Sequence, residues 1–273
     1  MHRRALYVRS DDVEAVKAAP FYYLHLRRTA GRIVSVPLEH GPLLPAAKKY
    51  ADPVFLFSPG RVGSTLIARV LAEAGVPSVS EPDFYSQLVH PLLRRNPLAR
   101  PFRAAMWNLS GDLSAALGAS PVIKLRAECA RAPELFVRNP KAKTIVLFRG
   151  FEAWARSTAQ VFGAGPEKAV RKYLTALKCY ETLCQTSDCH LMRFEDWVSA
   201  PSEAAAALAA FLNRPLAPEA VRRALSQHSQ EGTPLLGRRQ PGWEGKWQAA
   251  LALWRSKRVE RARGVLQIPV VWD

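Results

Sequence analysis

Several features that would settle a function quickly are missing from this chain. No apolar run is long enough to cross a membrane, and the opening residues MHRRALYVRSDDVEAVK hold no apolar core of signal-peptide length. A soluble cytoplasmic protein is the expectation. Cysteine is scarce, with four in 273 residues, which fits a reducing compartment. Cys179, Cys184 and Cys189 recur every five residues with His190 adjacent. Zinc sites place their cysteines closer together and in turns. Here two fall on an expected helix and one opens an expected strand, so the pattern reads as free thiols and no metal is expected. There is no internal repeat, no low-complexity tail, and no RNP, zinc-finger or helix-turn-helix signature. Negative charge is also in short supply, 23 acidic residues against 39 basic, for a net charge of +16. Part of that excess reflects arginine- and alanine-rich usage. The remainder suits an anionic ligand, an acidic polymer or nucleic acid, and does not choose among them. Against nucleic acid, the aromatic residues do not interleave with the basic ones.

What is present is concentrated in DPVFLFSPGRVGSTLIARVLAEAG, residues 52–75. The apolar run Val54-Phe55-Leu56-Phe57 meets a turn with two glycines, then Ser64-Thr65, then apolar residues at helical spacing. That is the layout of a phosphate-binding loop, in which free N–H groups at a helix N-terminus point at an anion. The nucleoside-triphosphate form of the loop carries Lys immediately before its Ser/Thr. Here Gly63 holds that place and the basic side chain, Arg61, lies inside the loop. The loop therefore suggests a phosphorylated nucleotide other than magnesium ATP.

Residues 1–50 read as an N-terminal extension. Phe21–Leu26 and Ile33–Val36 are expected to form two strands of a hairpin, and Pro37, Pro42 and Pro45 mark a linker to a main domain over 51–273. The arm would suit dimerisation, which the sequence leaves open. From Val54 onward strands and helices alternate. Strands are expected at 76–79, 122–125, 144–148 and 191–194. Helices are expected over much of 84–117 and at 128–138, 152–162, 167–185 and from Ser202. Such alternation predicts an α/β fold with a parallel sheet covered by helices on both faces.

Ligands of such sheets sit beyond the carboxyl ends of the strands. Four of those ends carry polar groups: the loop 58–65, Glu81, Lys124 with Arg126, and Arg149. Arg149 is followed eight residues later by Ser157, and an arginine fork with a hydroxyl at that separation can clamp one phosphate.

Taken in order, SPGRVGST, SEP, VIKLR, TIVLFRGFEAWARS and LMRFEDW, with a later helix ending AAFLNRPL, resemble the sulfotransferases that use 3′-phosphoadenosine 5′-phosphosulfate (PAPS) and release adenosine 3′,5′-bisphosphate (PAP). The resemblance spans roughly residues 53–215 and implies a P-loop, three-layer sandwich. It places the 5′-phosphosulfate loop on Gly60, Arg61, Val62, Gly63, Ser64 and Thr65, and the 3′-phosphate pair on Arg149 and Ser157. It implies that Glu81 is the base, as in branches with a glutamate after the second strand, and that Arg61 and Lys124 stabilise the transferring sulfuryl group without a metal. The segment LGRRQPGWEGKW corresponds to a basic loop over the 3′-phosphate, giving Arg238 and Arg239 that role. Composition also makes 232–247 a candidate lid, with glycines and prolines and no periodicity. Three departures stand out. Val62 replaces a serine, Gly150 replaces an aspartate, and no histidine follows Lys124.

Structural roles compete with these. Glu81 would cap a helix starting near Asp83, Lys124 would snorkel from a strand end, and Arg149 would pair with Glu152 or Asp196. Glu195 and Asp196 read as orienting a neighbouring loop. Trp243, Trp247 and Trp254 read as packing, and His25, His40, His90 and His228 form no recognisable arrangement. A small-molecule P-loop kinase and a basic nucleotide- or nucleic-acid-binding module remain the alternative functions. The kinase would need the missing lysine and an acidic magnesium ligand. The acceptor's class is not legible in the sequence.

Overall fold

The strongest apolar runs become the centre of a five-stranded parallel sheet. In the computed structural model, which describes residues 4–9, 12–19, 21–37, 52–90, 99–227, 235 and 237–256, the runs β3 (Val54–Phe57) and β6 (Lys143–Phe148) lie side by side. Phe55, Leu56, Ile145 and Leu147 are all essentially inaccessible to solvent, as expected for strands buried on both faces. The order is β4-β5-β3-β6-β7, with β4 at Ser78–Ser80, β5 at Val122–Lys124 and β7 at Asp188–Arg193. From β3 the chain crosses to β4 on one side, whereas β6 leads to β7 on the other. Right-handed crossovers therefore put α3 (Ser64–Glu73) on one face of the sheet. They put α6 (Phe151–Phe162) and α7 (Pro166–Thr186) on the opposite face. The expected α/β architecture is the one observed. Its topological switch point falls between β3 and β6, where ligands of open sheets bind.

Two aromatic clusters hold the layers. Phe136 packs edge-on against Phe55 and Phe57, with ring centroids 5.3 and 5.5 Å apart. On the α6 face, Phe151 stacks on Trp254 at 4.2 Å, and Trp154 and Tyr173 complete the group. Trp254 ends α11 (Trp243–Trp254), so the last described helix is bolted to α6 and α7. The packing reading is correct for Trp254, which is buried. The same helix starts inside the expected lid, so 243–247 is not the structureless loop its composition suggested. Residues 228–234 and 236 of that region, and the proline-marked linker over 38–51, lie outside the described residues.

Two other local expectations fail for identifiable reasons. Residues 128–138 do not form one helix. They form two 3-10 turns, Ala127–Arg131 and Pro133–Leu135. Pro133 bars the residue before it from helical backbone, and Ala132 sits at φ −152°, ψ 62°. In the extension, Phe21–Leu26 is not a strand: Tyr22–Thr29 is helix α2. The second strand, β2 (Arg32–Pro37), pairs antiparallel with β1 (Arg4–Arg9) across the intervening helices α1 (Val13–Ala18) and α2. The run Phe-Tyr-Tyr has strand-type propensity, but tertiary context overrides it. Helix α1 packs near β4 and buries Val16, so the extension lies along the sheet's β4 edge.

Candidate active site

All five strands of the sheet deliver residues to one cavity of about 1110 Å³ at their carboxyl ends. After β3 the loop curls through three left-handed residues, Gly60 (φ 72°), Arg61 (φ 61°) and Gly63 (φ 85°). For Arg61 that conformation costs on the order of 1–3 kcal/mol and needs bracing. Trp154 Nε1 supplies it by donating to the Gly60 carbonyl at 2.7 Å, so the aromatic cluster of α6 clamps the loop. The Val62 side chain is fully buried and anchors the loop from below. Only its backbone is available to a ligand. At Gly63 an added Cβ would overlap the Phe194 ring. Leu66 and Ile67 N–H groups donate to the Gly63 carbonyl, which leaves the Ser64 and Thr65 amides as the leading donors of α3.

Arg149 leaves β6 directly opposite this loop. Its carbonyl accepts from Tyr173 OH at 2.6 Å, its guanidinium lies 4.9 Å over the Phe194 ring, and Glu195 Oε1 accepts from the Gly150 N–H at 2.9 Å. The structural role expected for Glu195 is thus explicit, as it pins the turn after β6. Arg149 is not engaged by Glu152, which pairs instead with Arg255 at 3.5 Å. Arg61 Nε donates to Ser157 Oγ at 3.2 Å. Burial and then repulsion from Arg149 lower the Arg61 pKa. Burial lowers that of Arg149 against the opposing pull of Glu195. Two partly desolvated guanidiniums and a hydroxyl facing one space could hold an anion. Ser157 is thus engaged by Arg61, with Arg149 lining the same cavity.

Glu81 and Lys124 meet at the other end. Lys124 Nζ lies 2.9 Å from Glu81 Oε1, with side chains 4% and 19% exposed. Glu81 is itself left-handed at φ 58°. It caps nothing: the N-cap of the following helix α4 (Asp83–Leu88) is Pro82. Lys124 does not snorkel, being buried and paired. A carboxylate aimed into a cavity beside a buried ammonium can accept a proton while the ammonium holds a departing negative charge.

The structure brings together Gly60, Arg61, Gly63, Ser64, Thr65, Glu81, Lys124, Arg149 and Ser157. Arg238 and Arg239 are exposed and do not line the cavity, and the Gln240 N–H donates to the Gln160 carbonyl at 2.8 Å next to them. The lining also holds residues that the sequence reading passed over: Phe21 and Tyr23 from the extension, Arg131, and Lys168, Arg171 and Lys172 of α7. The α7 trio did carry a signal. A spacing of three and one places all three cations on one helix face. Among the described residues, no group of three or more His, Cys, Asp or Glu side chains could hold a metal ion. None of their helices is long and apolar enough to cross a membrane.

No family model matches this chain, and no curated protein does. Solved structures do. A sulfotransferase domain from the curacin biosynthetic pathway superposes with a TM-score of 0.50 at 16% identity, covering 80% of this chain and 99% of that one. The sulfotransferase domain of the Synechococcus PCC 7002 olefin synthase gives 0.50 at 17% identity, over 84% and 98%. The chain has a sulfotransferase fold. Mouse sulfotransferase SULT7A1 complexed with PAP is matched at TM-score 0.40 and 10% identity, over 84% of this chain and 87% of that one.

Proposed function

We propose that this protein is a PAPS-dependent sulfotransferase acting on an acceptor hydroxyl or amine. The observation that carries the reading is the pairing of two chemically different ends in one cavity: an arginine–serine anion site beside a phosphate-type loop, and a Glu–Lys pair facing the same space. Arg149 and Ser157, with Arg61, hold the 3′-phosphate, and the Ser64 and Thr65 amides meet the 5′ group. When bound, PAPS supplies the sulfuryl group: the acceptor oxygen bonds to sulfur, the bond from sulfur to the phosphate oxygen breaks, and PAP leaves. Glu81 takes the acceptor's proton, and Lys124 meets the charge that grows on the departing oxygen. Fixed cations and amides suffice for this electrostatic work, so no metal is assigned. Gly63 in place of the loop lysine weighs against a kinase. Arg238 and Arg239 join the 3′-phosphate only if their segment closes over it.

Calorimetry with PAP and with adenosine 5′-phosphate, both in chelator, tests the reading. PAP is expected to bind at least about tenfold tighter. Arg149→Ala is expected to cost about 2–3 kcal/mol of PAP binding, the loss typical of a hydrogen bond to a charged group. Equal affinity for the two nucleotides would sink it.

A further inference from the structure

The cavity holds more positive charge than a nucleotide needs. Among the described residues, eight cationic side chains line it, against two carboxylates, Glu81 and Glu128. Arg61, Lys124 and Arg149 are accounted for above, and Glu81 is committed to Lys124. Five cations remain: Arg126, Arg131, Lys168, Arg171 and Lys172. Among the residues that line the cavity the other carboxylate is Glu128, 3.7 Å from Arg126.

These five are not scattered. Arg126 and Arg131 bracket the 3-10 turn after β5, and the other three come from α7, which packs on that turn. Arg126 and Arg131 follow the same strand end as Lys124, and Lys172 reaches the loop at Gly60. Lys172 is the innermost. Its Nζ stands 3.8 Å from where a Cβ on Gly60 would be. Burial lowers its pKa most, Glu128 works against this, and Lys168 and Arg131 add to it by repulsion. A half-buried ammonium crowded by like charges is stabilised when an anion arrives. Phe21 and Tyr23 also line this part of the cavity, with Lys124 and Arg126 at 5.3 and 5.0 Å from their ring centres. The volume, about 1110 Å³, exceeds the roughly 300–1,000 Å³ usual for one bound small molecule. It leaves room for a second ligand beside the nucleotide.

We propose that the acceptor is itself an anion: a hydroxyl compound already carrying a carboxylate, sulfate or phosphate. Arg131, Lys168, Arg171 and Lys172 bind its charge, and Phe21 and Tyr23 wall its carbon skeleton. The proposal rests on the sulfotransferase reading, which fills the other end of the cavity with PAP.

The test uses the full chain saturated with PAP and two matched pairs of hydroxyl compounds, titrated by calorimetry. One pair is chondroitin tetrasaccharide and the neutral chitotetraose. The other is 4-hydroxyphenylacetate and the neutral 4-hydroxyphenylethanol. The anionic member of at least one pair is expected to bind about tenfold tighter or better. The triple variant Arg131→Gln, Lys168→Gln, Arg171→Gln changes exposed side chains only. It is expected to shrink that preference below about threefold while holding the PAP Kd within about twofold. Equal binding within both pairs, binding by none of the four compounds, or a variant that loses PAP as steeply as the anion would each overturn the proposal. Wild-type protein that binds no PAP, seen before any acceptor is added, defeats the underlying reading instead.

Discussion

The two ends of the cavity are built differently. Around Arg149 the frame comes from the main domain and is held by its hydrogen bonds. Tyr173 holds its carbonyl, Glu195 holds the next amide, and Trp154 holds the facing loop. Around Glu81 and Lys124 the outer wall is borrowed. Phe21 and Tyr23 come from the extension, whose further tie there is the exposed pair Arg27–Asp83 at 3.5 Å. A buried, hydrogen-bonded frame defines one fixed shape, whereas ring faces over cations on a short helix tolerate change. The rigid end suits a ligand that is always the same and the borrowed wall suits one that sets specificity.

The largest expected effect is at the junction of the two ends. Glu81→Gln keeps the size of the side chain and removes its basic oxygen, so turnover should fall about 10²–10⁴-fold while PAP affinity stays near that of wild type. Full activity in single-turnover transfer from labelled PAPS would move the base elsewhere. Phe21→Ala should sharpen the contrast more gently. Losing one ring over a cation is worth about 0.5–2 kcal/mol, so acceptor KM should rise several-fold with PAP affinity unchanged. A loss of PAP binding in that variant would show the two ends are not separable. The smallest effect concerns Arg238 and Arg239. If their segment closes over the 3′-phosphate, tryptic cleavage after either residue should slow about twofold or more with PAP present, the change expected of a loop that orders on its ligand. Identical rates would leave the segment a connector leading into α11.

The rigid end was largely legible in the sequence because its information is local. A strand, a turn and a helix start lie within residues 54–66, and Arg149 and Ser157 sit eight residues apart on one strand–helix unit. The borrowed wall was not. Nothing near FYYLHL announces that Lys124, a hundred residues on, will lie under Phe21, and the run's β-type residues favoured a strand. Ala132-Pro133 was different: the break was written there and local chemistry sufficed to see it. Lys168, Arg171 and Lys172 fall between. Their common face was readable, but its direction depended on α7 packing across the turn after β5.

The contact between Gly63 and Phe194 narrows this loop's evolutionary options. Gly63 occupies the place where a triphosphate-binding loop puts its lysine. Here the aromatic ring following β7 fills the space that any side chain at that position would need, and the backbone is left-handed. Conversion to such a loop cannot proceed by one substitution. It would require a new residue at 63, a smaller one at 194 and a relaxed turn together, and loss of Phe194 would strip Arg149 of the ring beneath it. Each single change on that route would clash with the ring or leave Arg149 without it.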